Sequence, residues 1–381
     1  MGTLRFLAGG SAGHGSVRGA PEGLVSADFT IVVPTVGRAS LDALLHRLAQ
    51  LGVTERIIVV RDTGRRGPAA ARNAGWRAAT TEWVVFLDDD VLPAPGWREA
   101  LLRDLDHPPE VAAVQGRVRV PLPRPDRRTD WEADTARLGE SRWITADLAY
   151  RRSALAAVGG FDEAFPRAYR EDADLAFRVR DTGGGLVVGE RVTLHPVRPA
   201  GRWVSVTRQR GNADDAYLRR KYGPGWRELL EIPAGRRPRH VVTVALAGVT
   251  AGAGGAAAAL RPGRARRLLR ATAATAAAGW AAMTAEFVTH RIRTAPGERR
   301  TPISLTVTSA LIPPVAVTHW LRGWFAHRKS PRWPDDQISA GNRWFVVSGE
   351  AARVPAAHAR STFAAHLGDD RQPVRRGPLR P

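Results

Sequence analysis

The stretch EWVVFLDDDVLP, residues 82–93, runs from an apolar segment directly into three consecutive carboxylates. Its first half has the continuous hydrophobic character of a strand that is buried on both faces of a parallel sheet. Alternate side chains of an extended chain point the same way, so we expect Asp88 and Asp90 to share a face and Asp89 to point elsewhere. Two carboxylates at this spacing suit Mg²⁺ or Mn²⁺. The alternative is a loop whose acids cap the next helix and are otherwise solvated.

The segments before this stretch alternate between strand and helix patterns. Residues 29–34 (FTIVVP) and 56–60 (RIIVV) are short apolar runs that predict two more buried strands, and helical patterns follow after Ser40 and over 67–80. An order of strand, helix, strand, helix, strand predicts a doubly wound α/β domain with a mostly parallel sheet. Ligands bind at the carboxyl ends of such strands, which is where Asp62 and the three-acid run lie.

The pattern continues less regularly towards residue 200. The sequence predicts a strand over 110–120, helices over 151–165 and 170–185, and a last strand that ends before residue 200. The helix over 170–185 carries acids in its first turn and glycines beyond its end, as helix termini favour. The domain is therefore expected to close near residue 200.

Composition excludes several kinds of site. The 381-residue chain contains no cysteine, which removes disulfides, thiolate nucleophiles and cysteine-based zinc sites. Its net charge of +20 suggests a polyanionic partner, but the arginines cluster beside apolar segments, at 236–239, 261–270, 291–300 and 322–332. That placement fits a membrane surface better than a nucleic-acid groove, and the sequence shows no nucleic-acid-binding motif. We therefore expect no nucleic acid among the partners.

We expect five regions along the chain. They are a flexible leader over 1–27, a catalytic domain over 28–200, an amphipathic, interfacial connector over 201–237, an Ala-rich helical region over 238–326 and a tail without clear pattern over 327–381. The leader carries no export signal, so a membrane-associated protein with a cytoplasmic catalytic domain is expected.

The helical region contains three weakly hydrophobic segments. Residues 240–260, 271–289 and 302–321 each approach the ~20 residues that span a bilayer. They are rich in Ala rather than Leu, and arginines flank both ends of the first segment. Soluble or interfacial helices therefore remain an alternative to three membrane spans.

From residue 29 to about 197 the chain resembles a family 2 glycosyltransferase with the GT-A fold, of the actinobacterial type with a C-terminal membrane region. The likeness rests on six segments in the family's order: PTVGR, VVRDT, AAARNAG, WVVFLDDDVLP, GGFDE and REDADLAFRVR. It implies an inverting transfer of one sugar from a nucleotide-diphosphate sugar donor to a lipid-linked or other cell-envelope glycan acceptor, with Mg²⁺ or Mn²⁺ as cofactor. The QxxRW motif of processive synthases is absent, which favours a single transfer.

The resemblance also implies residue roles on the metal and catalytic sides. Asp90 would hold the metal that bridges the donor phosphates, Asp88 would reach the ribose or a metal-bound water, and His195 would complete the metal site. Of the catalytic acids Glu171 and Asp172, Asp172 would deprotonate the acceptor hydroxyl. Two alternatives stay open: both acids complement a helix N-terminus, and His195 is an ordinary buried or surface histidine.

Donor and acceptor contacts are implied in the same way. Pro34, Asp62 and Arg72 match the donor side, although the RDTG around Asp62 departs from the family's usual acidic pair, and Arg72 could instead be a surface arginine. Asp147 and Gly160 match the acceptor side, with Asp147 at a position where the family often has Asn.

Two other functions are weighed against this one. A nucleotidyltransferase shares the α/β architecture and an acidic metal site, but it should carry a GxGTR-like loop where this chain has PTVGRAS. A catalytically degenerate, membrane-associated binding partner is disfavoured because Asp88, Asp90 and Asp172 are all present.

Overall fold

The computed structural model describes residues 3–7, 27–297 and 302–333. Its strands are β1 (Thr3–Leu7), β2 (Phe29–Thr35), β3 (Ile57–Arg61), β4 (Trp83–Leu87), β5 (Leu92–Pro93), β6 (Val111–Arg119), β7 (Asp147–Arg151) and β8 (Gly185–Leu194). Its helices are α1 (Ser40–Gln50), α2 (Pro68–Ala78), α3 (Trp97–Asp104), α4 (Asp130–Ala136), α5 (Arg152–Ala157), α6 (Glu171–Asp181), α7 (Val204–Thr207), α8 (Asn212–Tyr222), α9 (Trp226–Leu229), α10 (Arg237–Ala259), α11 (Arg264–Thr294) and α12 (Pro302–Ala326).

The strands form one mixed sheet in the order β1-β3-β2-β4-β7-β6-β8-β5. Its first half is parallel: β2 lies between β3 and β4, with Ile31 opposite both Ile57 and Val85. Every residue of β2 and β4 is buried, because helices and loops cover both faces of the sheet. The predicted α/β class is confirmed, and the carboxyl ends of β2, β3 and β4 meet at one edge.

The second half of the sheet is less regular than the sequence predicted. β7, which was not predicted as a strand, runs antiparallel between β4 and β6, while β6 and β8 are parallel. The helix predicted over 151–165 is only the short α5, because Gly159 and Gly160 adopt φ of +74° and +78° and end it. Residues 3–7, assigned to the leader, form the edge strand β1 beside β3. Residues 8–26 and 334–381 lie outside the described part.

The connector over 201–237 packs on the catalytic domain. Aromatic residues of α8 and α9 form a buried cluster with Phe165 and Phe177, and the ring of Tyr217 lies 5.1 Å from that of Phe165. Within the described residues, α10 and Ile303–Ala326 of α12 are long and apolar enough to cross a membrane, whereas α11 is not by that measure. Of the three predicted spans, two therefore meet this test of length and composition.

Candidate active site

A cleft of about 640 Å³ lies at the carboxyl edge of β2, β3 and β4, against the start of α6. It is lined by most of the residues singled out from the sequence: Pro34, Asp62, Arg72, Asp88, Asp90, Glu171, Asp172 and His195. The parallel strands bring these positions together because their carboxyl ends share one edge.

Arg72 is the buried centre of the cleft floor. Its guanidinium donates to Asp88 and to Glu171 at 2.7 Å each, and its side chain is 2% exposed. Burial alone would lower the pKa of Arg72, but the charges of Asp88 and Glu171 outweigh burial and raise that pKa. Burial raises the pKa of Glu171 to about 7, against the lowering effect of Arg72. The interpretation of Arg72 as a surface arginine is therefore wrong.

Asp90, the last acid of the three-acid run, lies between two basic side chains of the cleft lining. His195 Nε2 lies 3.7 Å from Asp90 Oδ1, and Arg198 Nε lies 3.0 Å from Asp90 Oδ2. Burial and the neighbouring charge of Asp88 raise the pKa of Asp90. A cation between Asp88 and Asp90 would offset the repulsion between the two carboxylates.

The donor atoms fit a divalent cation that is only partly enclosed by protein. Asp90 and His195 place a carboxylate and an imidazole side by side, and the buried Nδ1 of His195 has no hydrogen-bond partner within the described structure. Among the described residues, no three His, Cys, Asp or Glu side chains are spaced to enclose a metal ion. Magnesium-type sites commonly use few protein ligands and leave the other positions to water and phosphate.

Asp89 makes a separate set of contacts. Its carboxylate accepts hydrogen bonds from Thr35 Oγ1 at 2.5 Å and from Arg38 Nη1 at 2.6 Å, and the residue is 1% exposed. Asp89 therefore ties the loop after β2 to the end of β4, and this fixes one rim of the cleft.

The three acids at the start of α6 have different surroundings. Asp172 lines the cleft and accepts from the backbone N–H of Ala173 at 2.8 Å, and burial raises its pKa. It thus satisfies a helix N–H, as the capping alternative predicted, while it also faces the cleft. Asp174 is fully buried and pairs with Arg178 and Lys221, so its role is structural. Of the three acids, Asp172 is the one that is partly exposed.

Asp62 closes the loop between β3 and α2. Its two carboxylate oxygens accept from the backbone N–H groups of Arg66 and Gly67 at 2.9 Å and 2.7 Å. Gly67 has φ +95°, and a Cβ there would lie 2.7 Å from the carbonyl oxygen of Pro166. Asp62 therefore shapes the cleft wall while it remains part of the lining.

Asp147 is not among the residues that line the cleft, and its assignment to the acceptor side stays a prediction. It is fully buried on β7, where it accepts from Trp97 Nε1 at 2.7 Å, Arg191 Nε at 2.7 Å and Thr193 Oγ1 at 2.5 Å. Its charge is matched by Arg191, which is also fully buried. Asp147 therefore holds strands β7 and β8 and helix α3 together.

Gly160 is likewise absent from the cleft lining. With φ +78°, it packs so closely on α2 that a Cβ would lie 2.4 Å from Asn73 Oδ1. The Asn73 side chain accepts from the N–H of Phe161 and donates to its carbonyl, which locks the turn. The turn at Gly160 therefore serves packing, and its acceptor-side assignment stays a prediction.

A wall of the cleft that the sequence analysis missed comes from α4 and the segment after His195. Trp131 Nε1 donates to the carbonyl of Arg198 at 2.6 Å, and the guanidinium of Arg208 lies over the Trp131 ring at 5.2 Å. A second, shallower groove of about 460 Å³ shares Trp131 and Arg198 with the cleft and adds Trp203, which is 44% exposed. The only local signal for this wall was the sequence HPVR, in which Arg198 lies three residues after His195.

Comparisons with known proteins agree with this geometry. Residues 37–172 match the family model described as glycosyl transferase family 2. The pre-mycofactocin glycosyltransferases of Mycobacterium tuberculosis strains CDC 1551 / Oshkosh and ATCC 25618 / H37Rv are each 34% identical over 203 aligned residues. That alignment covers 44% of this chain, and the chain spans 42% of the length of these curated relatives.

Solved structures show a more distant likeness. The mannosyltransferase PcManGT from Pyrobaculum calidifontis, in complex with GDP-Man and Mn²⁺, has a TM-score of 0.43 and 20% identity, over 78% of this chain and 89% of that one. GalNAc-T7 with UDP, GalNAc and Mn²⁺ has a TM-score of 0.37 and 14% identity, over 55% of each chain.

The family match spans β3, β4, the acidic run and the start of α6, and so includes the cleft acids from Asp62 to Asp172. Residues 37–172 therefore match family 2 glycosyltransferases, and they lie in the mixed α/β architecture expected of the GT-A fold.

Proposed function

We propose that this protein is an inverting, divalent-metal-dependent glycosyltransferase that moves one sugar from a nucleotide-sugar donor to a lipid-linked or cell-envelope acceptor. The observation that carries the proposal is the cleft itself, which brings Asp88, Asp90, His195 and Asp172 together. Residues 28–200 form the catalytic domain, and 201–237 connect it to the helices over 238–326.

The donor lies along the carboxyl edge of the sheet. Asp90 and His195 would hold Mg²⁺ or Mn²⁺, whose charge would offset that of the departing nucleoside diphosphate. Arg198, whose side chain is 44% exposed, is a second cation within reach of a phosphate. Pro34 and Asp62 shape the nucleotide side, and Arg72 fixes Asp88 towards it through their 2.7 Å ion pair.

Asp172 is the catalytic base. It receives the proton of the acceptor hydroxyl as that oxygen attacks the anomeric carbon in line with the departing diphosphate, and this displacement inverts the configuration. Glu171 cannot take this role while it is fully buried against Arg72. Glu171 instead holds the start of α6 against the cleft floor through its ion pair with Arg72.

The acceptor side is formed by α4 and α7. Val204 of α7 lines both the cleft and the neighbouring groove, in which Trp131 and Trp203 offer aromatic surface. Ser205 donates to Asp130 at 2.7 Å, and Asp130 accepts from Arg291 of α11 at 3.2 Å. The groove therefore adjoins the apolar helices, which supports an acceptor presented at a membrane.

Neither rival function gains support. The family match argues against a nucleotidyltransferase, and the gathering of Asp88, Asp90 and Asp172 in one cleft argues against a degenerate partner.

A donor panel tests the proposal. The full chain in detergent is incubated with individual nucleoside-diphosphate sugars, with and without EDTA, and with lipid-linked acceptors or pre-mycofactocin, the acceptor suggested by the curated relatives' name. We expect one donor to release its nucleoside diphosphate, EDTA to abolish the release and an acceptor to accelerate it. Asp106→Asn, at an exposed position distant from the cleft lining, is the control and should behave as wild type. Release that EDTA leaves unchanged would contradict the metal assignment.

A further inference from the structure

Helices α10 and α11 form an antiparallel hairpin. Early residues of α10 meet late residues of α11: Arg239 Nη1 donates to Glu286 at 2.7 Å, and the rings of His240 and Phe287 lie 5.1 Å apart. Farther along, a Cβ at Gly279 would lie 3.3 Å from the Leu246 side chain. The two helices are joined by the short turn at 260–263.

The open end of the hairpin, its base, is attached to the catalytic domain. The backbone N–H of Gly297, just after α11, donates to the carbonyl of Arg128 at 2.9 Å, and Arg291 reaches Asp130. The 23 residues of α10 rise ~34 Å at ~1.5 Å per residue, so the turn at 260–263, the tip, lies far from this base.

Between base and tip, the hairpin forms a shaft, and the α10 side of this shaft is apolar and exposed. Residues 241–260 contain no charged side chain, and only Thr243 and Ala257 among them are buried. Val241 and Val249 are 48% and 46% exposed. A helix that is apolar all round belongs in a protein core or in lipid, and the described residues supply no core around this one.

Two bands of arginine mark the ends of the shaft. The base band is Arg236, Arg237, Arg239, Arg291 and Arg293, and the tip band is Arg261, Arg264, Arg266, Arg267 and Arg270. Residues 240–260 of α10 and 271–290 of α11 separate the bands by ~30 Å on each helix, which matches the hydrocarbon thickness of a bilayer. Glu286, the only acid between 232 and 297, is paired with Arg236 and Arg239.

Helix α12 is placed differently, although it too is long and apolar enough to cross a membrane. Near its start, Thr308 and Ser309 accept from Arg291 at the hairpin base, at 2.8 Å and 2.9 Å. Near its end, a Cβ at Gly323 would lie 2.4 Å from the carbonyl oxygen of Ala213 in α8. Both halves of α12 are therefore held at the level of the catalytic domain, and the helix lies along that domain.

We propose that the α10–α11 hairpin crosses a phospholipid bilayer twice, with an arginine band in each headgroup layer, and that α12 stays on the catalytic side. The chain beyond α12 is then on the same side as the catalytic domain, which an odd number of crossings would not allow. Basic residues of 236–239, 291–293 and 322–332 outnumber those of the tip, which places the catalytic side in the cytosol.

Cysteine labelling tests this topology directly, because the native chain has no cysteine. Single cysteines are introduced at three exposed positions: Ala265→Cys at the tip, Asp106→Cys on the catalytic domain and Lys329→Cys after α12. A membrane-impermeant maleimide is applied to spheroplasts and to inverted membrane vesicles, with SDS-denatured protein as the control for reactivity.

The tip variant should label in spheroplasts only, and the other two in inverted vesicles only. Labelling of Ala265→Cys from the same side as Asp106→Cys, or from neither side, would refute the crossing of the hairpin. Labelling of Lys329→Cys together with the tip would show that α12 also crosses. Release of the wild-type chain by alkaline carbonate would show that something other than lipid, such as a second copy, covers the hairpin. Labelling needs neither donor nor acceptor, so its failure is separate from failure of the transferase proposal.

Discussion

Replacing Arg72 with methionine removes the shared partner of two carboxylates in the cleft floor. Deleting one partner of a buried ion pair typically costs ~3–5 kcal/mol, because the charge left behind stays buried without compensation. The two carboxylates differ in exposure: the side chain of Asp88 is 27% exposed, and that of Glu171 is 2% exposed. Water can therefore solvate Asp88 after the substitution but not Glu171. We expect Glu171 to account for most of the lost stability.

Double variants measure this division. A loss of ~3 kcal/mol corresponds to a decrease in Tm of roughly 6–12 °C for a domain of about 150–250 residues. Adding Glu171→Gln to Arg72→Met should restore more than half of that decrease, whereas adding Asp88→Asn should restore clearly less. Tm is followed by tryptophan fluorescence on the full chain in detergent. Equal recovery in the two double variants, or an unchanged Tm for Arg72→Met alone, would refute the reasoning.

Three further predictions concern the same cleft. Burial raises the pKa of Glu171 to about 7, so the folded state retains a proton that the unfolded state releases near the ordinary value of 4.5. The free energy of unfolding should therefore fall as pH rises between those values. Glu171→Gln should flatten this slope in pH-dependent unfolding. His195→Ala should weaken Mn²⁺ binding by roughly 10–100-fold in calorimetry, and unchanged affinity would leave His195 a structural residue. Gly67→Ala should lose ~1–3 kcal/mol of stability from its φ of +95° and the contact with Pro166. Gly64→Ala should not, because a Cβ there makes only an ordinary contact of 3.7 Å with the Arg66 side chain.

The catalytic half of the fold follows from local sequence patterns. The continuous apolar runs that became β2 and β4 are buried on both faces, and the acids after β4 line the cleft because parallel strands share one carboxyl edge. Arg72 is different: its helix position alone could not reveal burial, since its partner Glu171 lies 99 residues away.

Other contacts of the fold also join residues that are far apart in the sequence. Asp147 is satisfied by Arg191, 44 residues later, and no pattern around Asp147 indicates that pairing. The wall formed by Trp131 and Arg198 was missed because helix α4 and the segment after His195 meet only in the folded chain. In the helical region, the sequence predicted three weakly hydrophobic segments of similar length, whereas packing places α12 along the catalytic domain.

The central claim is that Asp172 performs base catalysis in a cleft that binds the donor independently of it. The most direct measurement compares donor affinity and transfer rate for wild type and Asp172→Asn, using the donor and acceptor identified by the panel. We predict an unchanged donor Kd, measured by calorimetry with Mn²⁺, and a transfer rate that is lower by roughly 10²–10⁴-fold. A variant that transfers sugar at the wild-type rate would contradict the account.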